Sequence, residues 1–139
     1  MRQSIIQIAL LVEDYDEAIN FYVNKLNFSL IEDTVLSLHK RWVLVRPPGI
    51  SETCLLLAKA ADSTQKSAIG NQSGGRVFLF LQTDNFQRDY RGMLSKGIVF
   101  VREPVTETYG TVAVFKDLYG NLWDLIQSNT NLFIPNPLL

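Results

Sequence analysis

The feature that most constrains this chain is that its pattern is written twice. Two stretches, Ile5 to Phe28 and Arg76 to Val101, each with its sequel, follow one grammar. Each opens with a near-continuous apolar run of strand length, IIQIALLV and RVFLFL. Each then meets acidic and polar residues that predict a helix start. Asp14 and Glu17 stand at capping-box spacing in the first, and Thr83 or Asp84 is placed to cap the second. The predicted helices carry apolar stripes: Ala18, Phe21, Tyr22 and Leu26 on one, and Phe86, Tyr90, Met93 and Leu94 on the other. Gly97 is a natural stop, because glycine takes the left-handed conformation at little cost. Extended segments follow, NFSLIED and GIVFVRE, and each half closes on two strands, RWVLV with TCLLLA and TVAVF with LWDLIQ. The order β-α-β-β-β, read twice at an offset of roughly 70 residues, predicts an α+β chain of two βαβββ units. The expected bounds are 4–60 for the first unit, 61–75 for a polar linker, 76–128 for the second, and 129–139 for a tail. Two prolines in that tail forbid a regular element.

Composition narrows the setting. A chain of 139 residues with 47% hydrophobic and 19% charged residues can bury the core of one domain. A net charge of −1 offers no attraction to nucleic acid or to an anionic membrane. The lone Cys54 cannot close an intramolecular disulfide, which suits a reducing cytoplasm. The apolar run Ile5 to Val12 is too short to span a bilayer and lacks a small-residue cleavage site, so it reads as a strand. A cytoplasmic protein with no nucleic-acid or membrane partner is the expectation.

Two stretches carry a more specific resemblance. The opening IALLVEDYDEAINFYVNKLNF joins an aliphatic strand, an acidic cap, a Phe-Tyr pair and a Leu-Asn-Phe exit. The closing YGTVAVFKDLYGNLWDLIQ holds a Phe-x-Asp-x-x-Gly-Asn turn before a strand that bears a carboxylate. Together they resemble the glyoxalase/bleomycin-resistance (vicinal oxygen chelate) superfamily. That resemblance implies curved mixed sheets around a small-molecule cleft, and homodimers. It also implies metal ligands at four positions, here Gln7, Leu56, Arg76 and Asp124. Gln7 and Asp124 are oxygen donors, but Leu56 has no lone pair and Arg76 is a permanent cation with no acceptor.

Strand alternation checks whether these positions share a face. If Gln7 points into a cleft, then Ile6, Ile8, Leu10 and Val12 point toward the helix. The same parity puts Val77, Leu79 and Leu81 beneath the second helix and leaves Arg76, Phe78 and Phe80 in the cleft. Val43 and Val45 become core, with Trp42, Leu44 and Arg46 facing inward.

The chemistry available is narrow. His39, in SLHKR, is the one histidine and sits off the ligand positions, so a two-His-one-carboxylate iron site cannot be assembled. A glyoxalase-type proton transfer needs a metal and a carboxylate base, which Leu56 and Arg76 disfavour. Cys54 has no histidine nearby and reads as an inert buried thiol; GNQSGG lacks the lysine of a phosphate loop. The expectation is therefore a small-molecule-binding protein with no bound metal and no cofactor, its catalytic residues unassigned. Phe78, Phe80 and Trp42 would stack on the ligand, Gln7, Arg76 and Asp124 would anchor it, and Arg46 would meet a carboxylate or phosphate. Arg76 and Asp124 are also expected to face each other as an ion pair that closes the old metal site. Other readings stay open: a metal-dependent lyase or isomerase with a degenerate ligand set, an enzyme using the cleft without metal or with a metal its substrate carries, or aromatics that merely pack.

Overall fold

A computed structural model describes residues 1–49 and 52–129 and resolves the repeat into two four-stranded mixed sheets. The first unit ends at Gln72 and the second begins at Ser73. Unit one runs β1 (Gln7–Val12), α1 (Tyr15–Ile19), a π-helical continuation (Asn20–Lys25), β2 (Ser29–Ser37), β3 (Lys40–Arg46) and β4 (Cys54–Lys59), then α2 (Ser63–Ala68). Unit two runs β5 (Val77–Gln82), α3 (Phe86–Ser95), β6 (Phe100–Glu107), β7 (Gly110–Lys116) and β8 (Leu122–Ser128). The sheet orders are β1-β4-β3-β2 and β5-β8-β7-β6. In each, the first and last strands of the unit run parallel and the rest antiparallel. The α+β class and the doubled βαβββ order are therefore those expected.

The first helix starts where Asp14 accepts a hydrogen bond from the Glu17 N–H at 2.9 Å. It packs on β3 and β4, and the expected stripe of Ala18, Phe21, Tyr22 and Leu26 is buried. Beneath it lie Leu10, Val12, Val43, Val45 and Leu57, all fully buried, as alternation requires. Asn27 leaves the helix with φ +62°, a left-handed conformation that asparagine tolerates better than most residues. Arg41 ties the start of α1 to the sheet, pairing with Asp33 at 2.7 Å and Asp16 at 2.9 Å. Those same contacts set the charges: the Arg41 hydrogen bonds hold the Asp33 carboxyl below its ordinary range, and Asp33 and then Asp16 hold the guanidinium above its own.

In the second unit α3 packs on β8, and an aromatic chain links helix to sheet. Phe86 stacks on Tyr90 (5.7 Å between centroids), Tyr90 meets Phe100 edge-on (4.7 Å), and Phe115 stacks on Trp123 (5.7 Å). The closing turn is held by one carboxylate. Buried Asp117 accepts from the N–H groups of Tyr119, Gly120 and Asn121 through Oδ1, and from Asn121 Nδ2 through Oδ2, all at 2.9–3.0 Å. Gly120 supplies the positive φ, +104°, that the turn was expected to need.

Five local expectations are corrected. Neither Thr83 nor Asp84 is the helix cap: Asn85 is, accepting from the Arg88 N–H, while Gln127 of β8 accepts from the Phe86 N–H. Thr83 instead bonds the Asp89 carboxylate and Asp84 pairs with Arg88, so the polar run is used one residue later than its spacing suggests. Leu94 is 46% exposed, because the apolar face of α3 is centred on Phe86 and Met93. Ile6 precedes β1 and is 63% exposed, out of reach of the helix. The segment 61–75 is not a bare linker: Asp62 caps α2 by accepting from Gln65 N, and the Gln72 amide bonds Leu11 N and Ala9 O of β1. Finally, Val77 does not lie under the second helix, for a reason found in the register of β5. Of the expected tail, residues 130–139 lie outside the described residues.

Candidate functional site

In the second unit, residues directly opposite one another across four strands form a single row. Phe80 of β5 lies opposite Asp124 of β8, Asp124 opposite Val114 of β7, and Val114 opposite Arg102 of β6. Neighbours in such a row project from the same face. The other face belongs to the core, where Leu79, Trp123, Phe115 and Phe100 form the adjacent row. The face of Phe80 therefore looks away from α3.

On that face is an open hollow of about 540 Å³, lined by Gly75, Arg76, Val77, Phe80, Val101, Arg102, Val114 and Leu122. Regular alternation would send Val101 and Arg102 to opposite faces. They share the hollow because β6 shifts register between Phe100 and Arg102, and again between Arg102 and Val105. A bulge spends one extra residue and re-aims its neighbours. Strand β5 does the same: Val77 is level with Leu122 and Leu79 with Trp123, so Phe78 is the extra residue. Val77 is thereby turned to the hollow, which corrects its expected place under the helix. Phe78 is half-buried and does not line the hollow.

Register also decides the pairing of charges. Asp124 is level with Phe80, whereas Arg76 lies before β5 begins, about four residues or 13 Å of strand away. Arg76 and Asp124 form no ion pair, so the expected closure of the site by that pair is wrong. Burial instead pushes the Asp124 carboxyl above its ordinary range, and the charge of Arg102, two strands away, pulls it back only in part. Arg102 was not singled out from sequence. The available signal was Pro104, which cannot donate to a ladder and so marks an edge strand or a bulge.

The first unit has a matching row of Ala9, Leu56, Leu44 and Glu32. Gln7 lies on the same face but opposite Cys54, two residues along the strand from the level of Leu56. Trp42, Leu44 and Arg46 share that face by alternation; Trp42 and Arg46 are half-buried and sit opposite Thr34 and Ser29. Cys54 is buried, and His39 lies exposed in the turn between β2 and β3.

The donor set does not suit the divalent metal that the resemblance implies. Leu56 offers nothing, Arg76 repels a cation, and the charge closest in register to Asp124 is another arginine. Among the described residues no three His, Cys, Asp or Glu side chains converge. Among them also, no helix is long and apolar enough to cross a membrane.

The chain matches the sequence model of the Glyoxalase/Bleomycin resistance protein/Dioxygenase superfamily over residues 4–125. It is 64% identical over 130 residues to a protein of Shewanella frigidimarina (strain NCIMB 400), covering 93% of this chain and 96% of that one. It is 32% identical over 127 residues to YurT of Bacillus subtilis (strain 168), covering 88% and 98%. Among solved structures, UcmS2 superposes with a TM-score of 0.79 at 30% identity, covering 91% of this chain and 98% of that one. TnmS3, an antibiotic binding protein from Streptomyces sp. CB03234, superposes with a TM-score of 0.74 at 27% identity, covering 92% and 98%.

Proposed function

This chain belongs to the Glyoxalase/Bleomycin resistance protein/Dioxygenase superfamily, and from that premise we propose that it binds a small organic molecule without a protein-bound metal. The carrying observation is the hollow on the second sheet, where Phe80 is 57% exposed over a floor of Val77, Val114 and Leu122. An aromatic ring held open over aliphatic side chains, with two guanidinium groups at the rim, is the composition of a ligand site. The likeness to an antibiotic binding protein supports binding as the activity. The lyase or isomerase alternative gains nothing, since two of its four ligand positions hold a leucine and an arginine, neither of which can donate to a metal.

We place the protein in the cytoplasm and propose that it acts as a homodimer. Support for pairing comes from edge strand β2, where Leu30, Ile31, Val35 and Leu36 are 42–73% exposed.

Native mass spectrometry and elemental analysis of freshly purified protein test these points together. A co-purified organic ligand, or binding of planar aromatic compounds with less than about a tenth of an equivalent of metal, is the expected result. Zinc, nickel, manganese or iron near one per chain, with Gln7 or Asp124 among its ligands, would overturn the metal-free reading. The mass of the native species reports pairing directly.

A further inference from the structure

We infer that the molecule taken by the hollow of the second unit carries an anionic group on a flat apolar body. This rests on the binding reading above and names its ligand class.

Three observations carry it. Arg76 and Arg102 both line the hollow, and both are exposed. Neither makes a salt bridge, those among the described residues belonging to Arg41 and Arg88; the charge of Arg102 reaches Asp124 only across two strands. Both forks therefore keep donors that no carboxylate bonds, and both stand at the same apolar hollow. A guanidinium fork fits a carboxylate, sulfonate or phosphate through two parallel hydrogen bonds. The carboxylate in the Phe80 row, Asp124, lies buried between Phe80 and Val114 and pairs with neither arginine.

The flat body follows from the remaining walls. Phe80 shows more than half of its surface, and Val77, Val114 and Leu122 offer no hydrogen-bonding side chain. Such walls accept a ring stacked on Phe80 and give a sugar or a peptide backbone nothing to bond. The two arginines come to this hollow by different routes, Arg102 through the bulges of β6 and Arg76 from the segment before β5. They approach from opposite edges of one sheet, so an anionic substituent can be met at either end of a bound ring.

The test uses the full chain and three probes of one shape: naphthalene-2-carboxylate, naphthalene-2-carboxamide and 2-naphthylmethylammonium, measured by calorimetry and ligand-observed NMR. The carboxylate should bind about tenfold more tightly than the amide, and its advantage should shrink as salt is raised. Arg102→Gln and Arg76→Gln should each reduce that advantage, and the double variant should remove most of it, with a smaller effect on amide affinity. Phe80→Ala should weaken carboxylate and amide alike. Both arginines are exposed and unpaired, so the glutamine variants should unfold at the parent's temperature, which a thermal scan verifies. Preference for the amide or the ammonium would overturn the anionic class and leave the binding reading standing. Carboxylate preference that survives both arginine substitutions would overturn the assignment to this hollow. Binding of none of the three would overturn both readings.

Discussion

Gly110 and Gly92 undergo the same chemical change in glycine-to-alanine variants, and the structure demands opposite outcomes. Gly110 begins β7 with φ +154°, buried against the end of β8. A Cβ built there lies 2.1 Å from the Gln127 carbonyl oxygen and 3.1 Å from the Ser128 Cα. Those atoms are backbone of the neighbouring strand and cannot swing aside as a side chain would. Relief requires the Gly110–Ser128 pair of the ladder to open by about an ångström, or φ to leave a region that costs a side chain about 1–3 kcal/mol. Overpacking adds about 1–3 kcal/mol more, so Gly110→Ala should lose about 2–6 kcal/mol. For a chain of this length that is a fall in Tm of about 6–18 °C. Gly92 lies inside α3, has no positive φ, and its Cβ would meet nothing within 4 Å. Gly92→Ala should therefore gain about 0.5–1 kcal/mol, because alanine surrenders less backbone freedom on entering a helix. Urea unfolding of both variants followed by circular dichroism gives the comparison. Should Gly110→Ala stay within about 1 kcal/mol of the parent, or Gly92→Ala lose as much as Gly110→Ala, the steric reasoning fails.

Other expectations follow from single side chains. Asp117→Ala strands several turn donors at once and should cost about 2–4 kcal/mol; Asp117→Asn, which keeps one acceptor oxygen, should cost visibly less in the same urea titration. Truncating Phe21, 5% exposed on the buried face of the first helix, to alanine should cost about 3–5 kcal/mol; a loss below about 1 kcal/mol would contradict its burial. Asp124 has a raised folded-state pKa, so its charged form works against folding at neutral pH and protonation relieves the penalty as pH falls. Asp124→Asn should therefore be more stable than the parent at pH 7, with the difference fading as pH falls through the raised pKa and gone below the ordinary carboxylate range; an advantage that does not change with pH would exclude desolvation as its cause.

What the sequence made legible follows from where periodicity is unbroken. The strand order, the helix stripes and the Asp117 turn are local patterns, and Leu10, Val12, Leu79 and Leu81 announce their faces by alternation alone. Register is not local. Whether Arg76 or Phe80 stands level with Asp124 depends on how far β5 slides along β8, and one bulge at Phe78 reverses the face of the residues before it. Parity could be counted correctly from Phe80 onward and still fail at Val77. Arg102 stayed hidden for the same reason, since its place beside Val101 in the hollow depends on register shifts that no apolar rhythm records.

The bulge at Phe78 also separates two kinds of mutational tolerance within one strand. Downstream of it, Leu79 and Leu81 interlock with Trp123 and Leu125, and substitutions there are answered by the core. Upstream, Gly75, Arg76 and Val77 line the hollow, with Val77 still paired to Leu122. The surplus residue works as a slip joint: the rim can lengthen, shorten or change charge while the interlocked rows stay in step. On the proposed binding reading, changes before residue 78 should alter which molecule the hollow takes at little cost in folding stability, which makes this strand end the natural place to graft a new specificity.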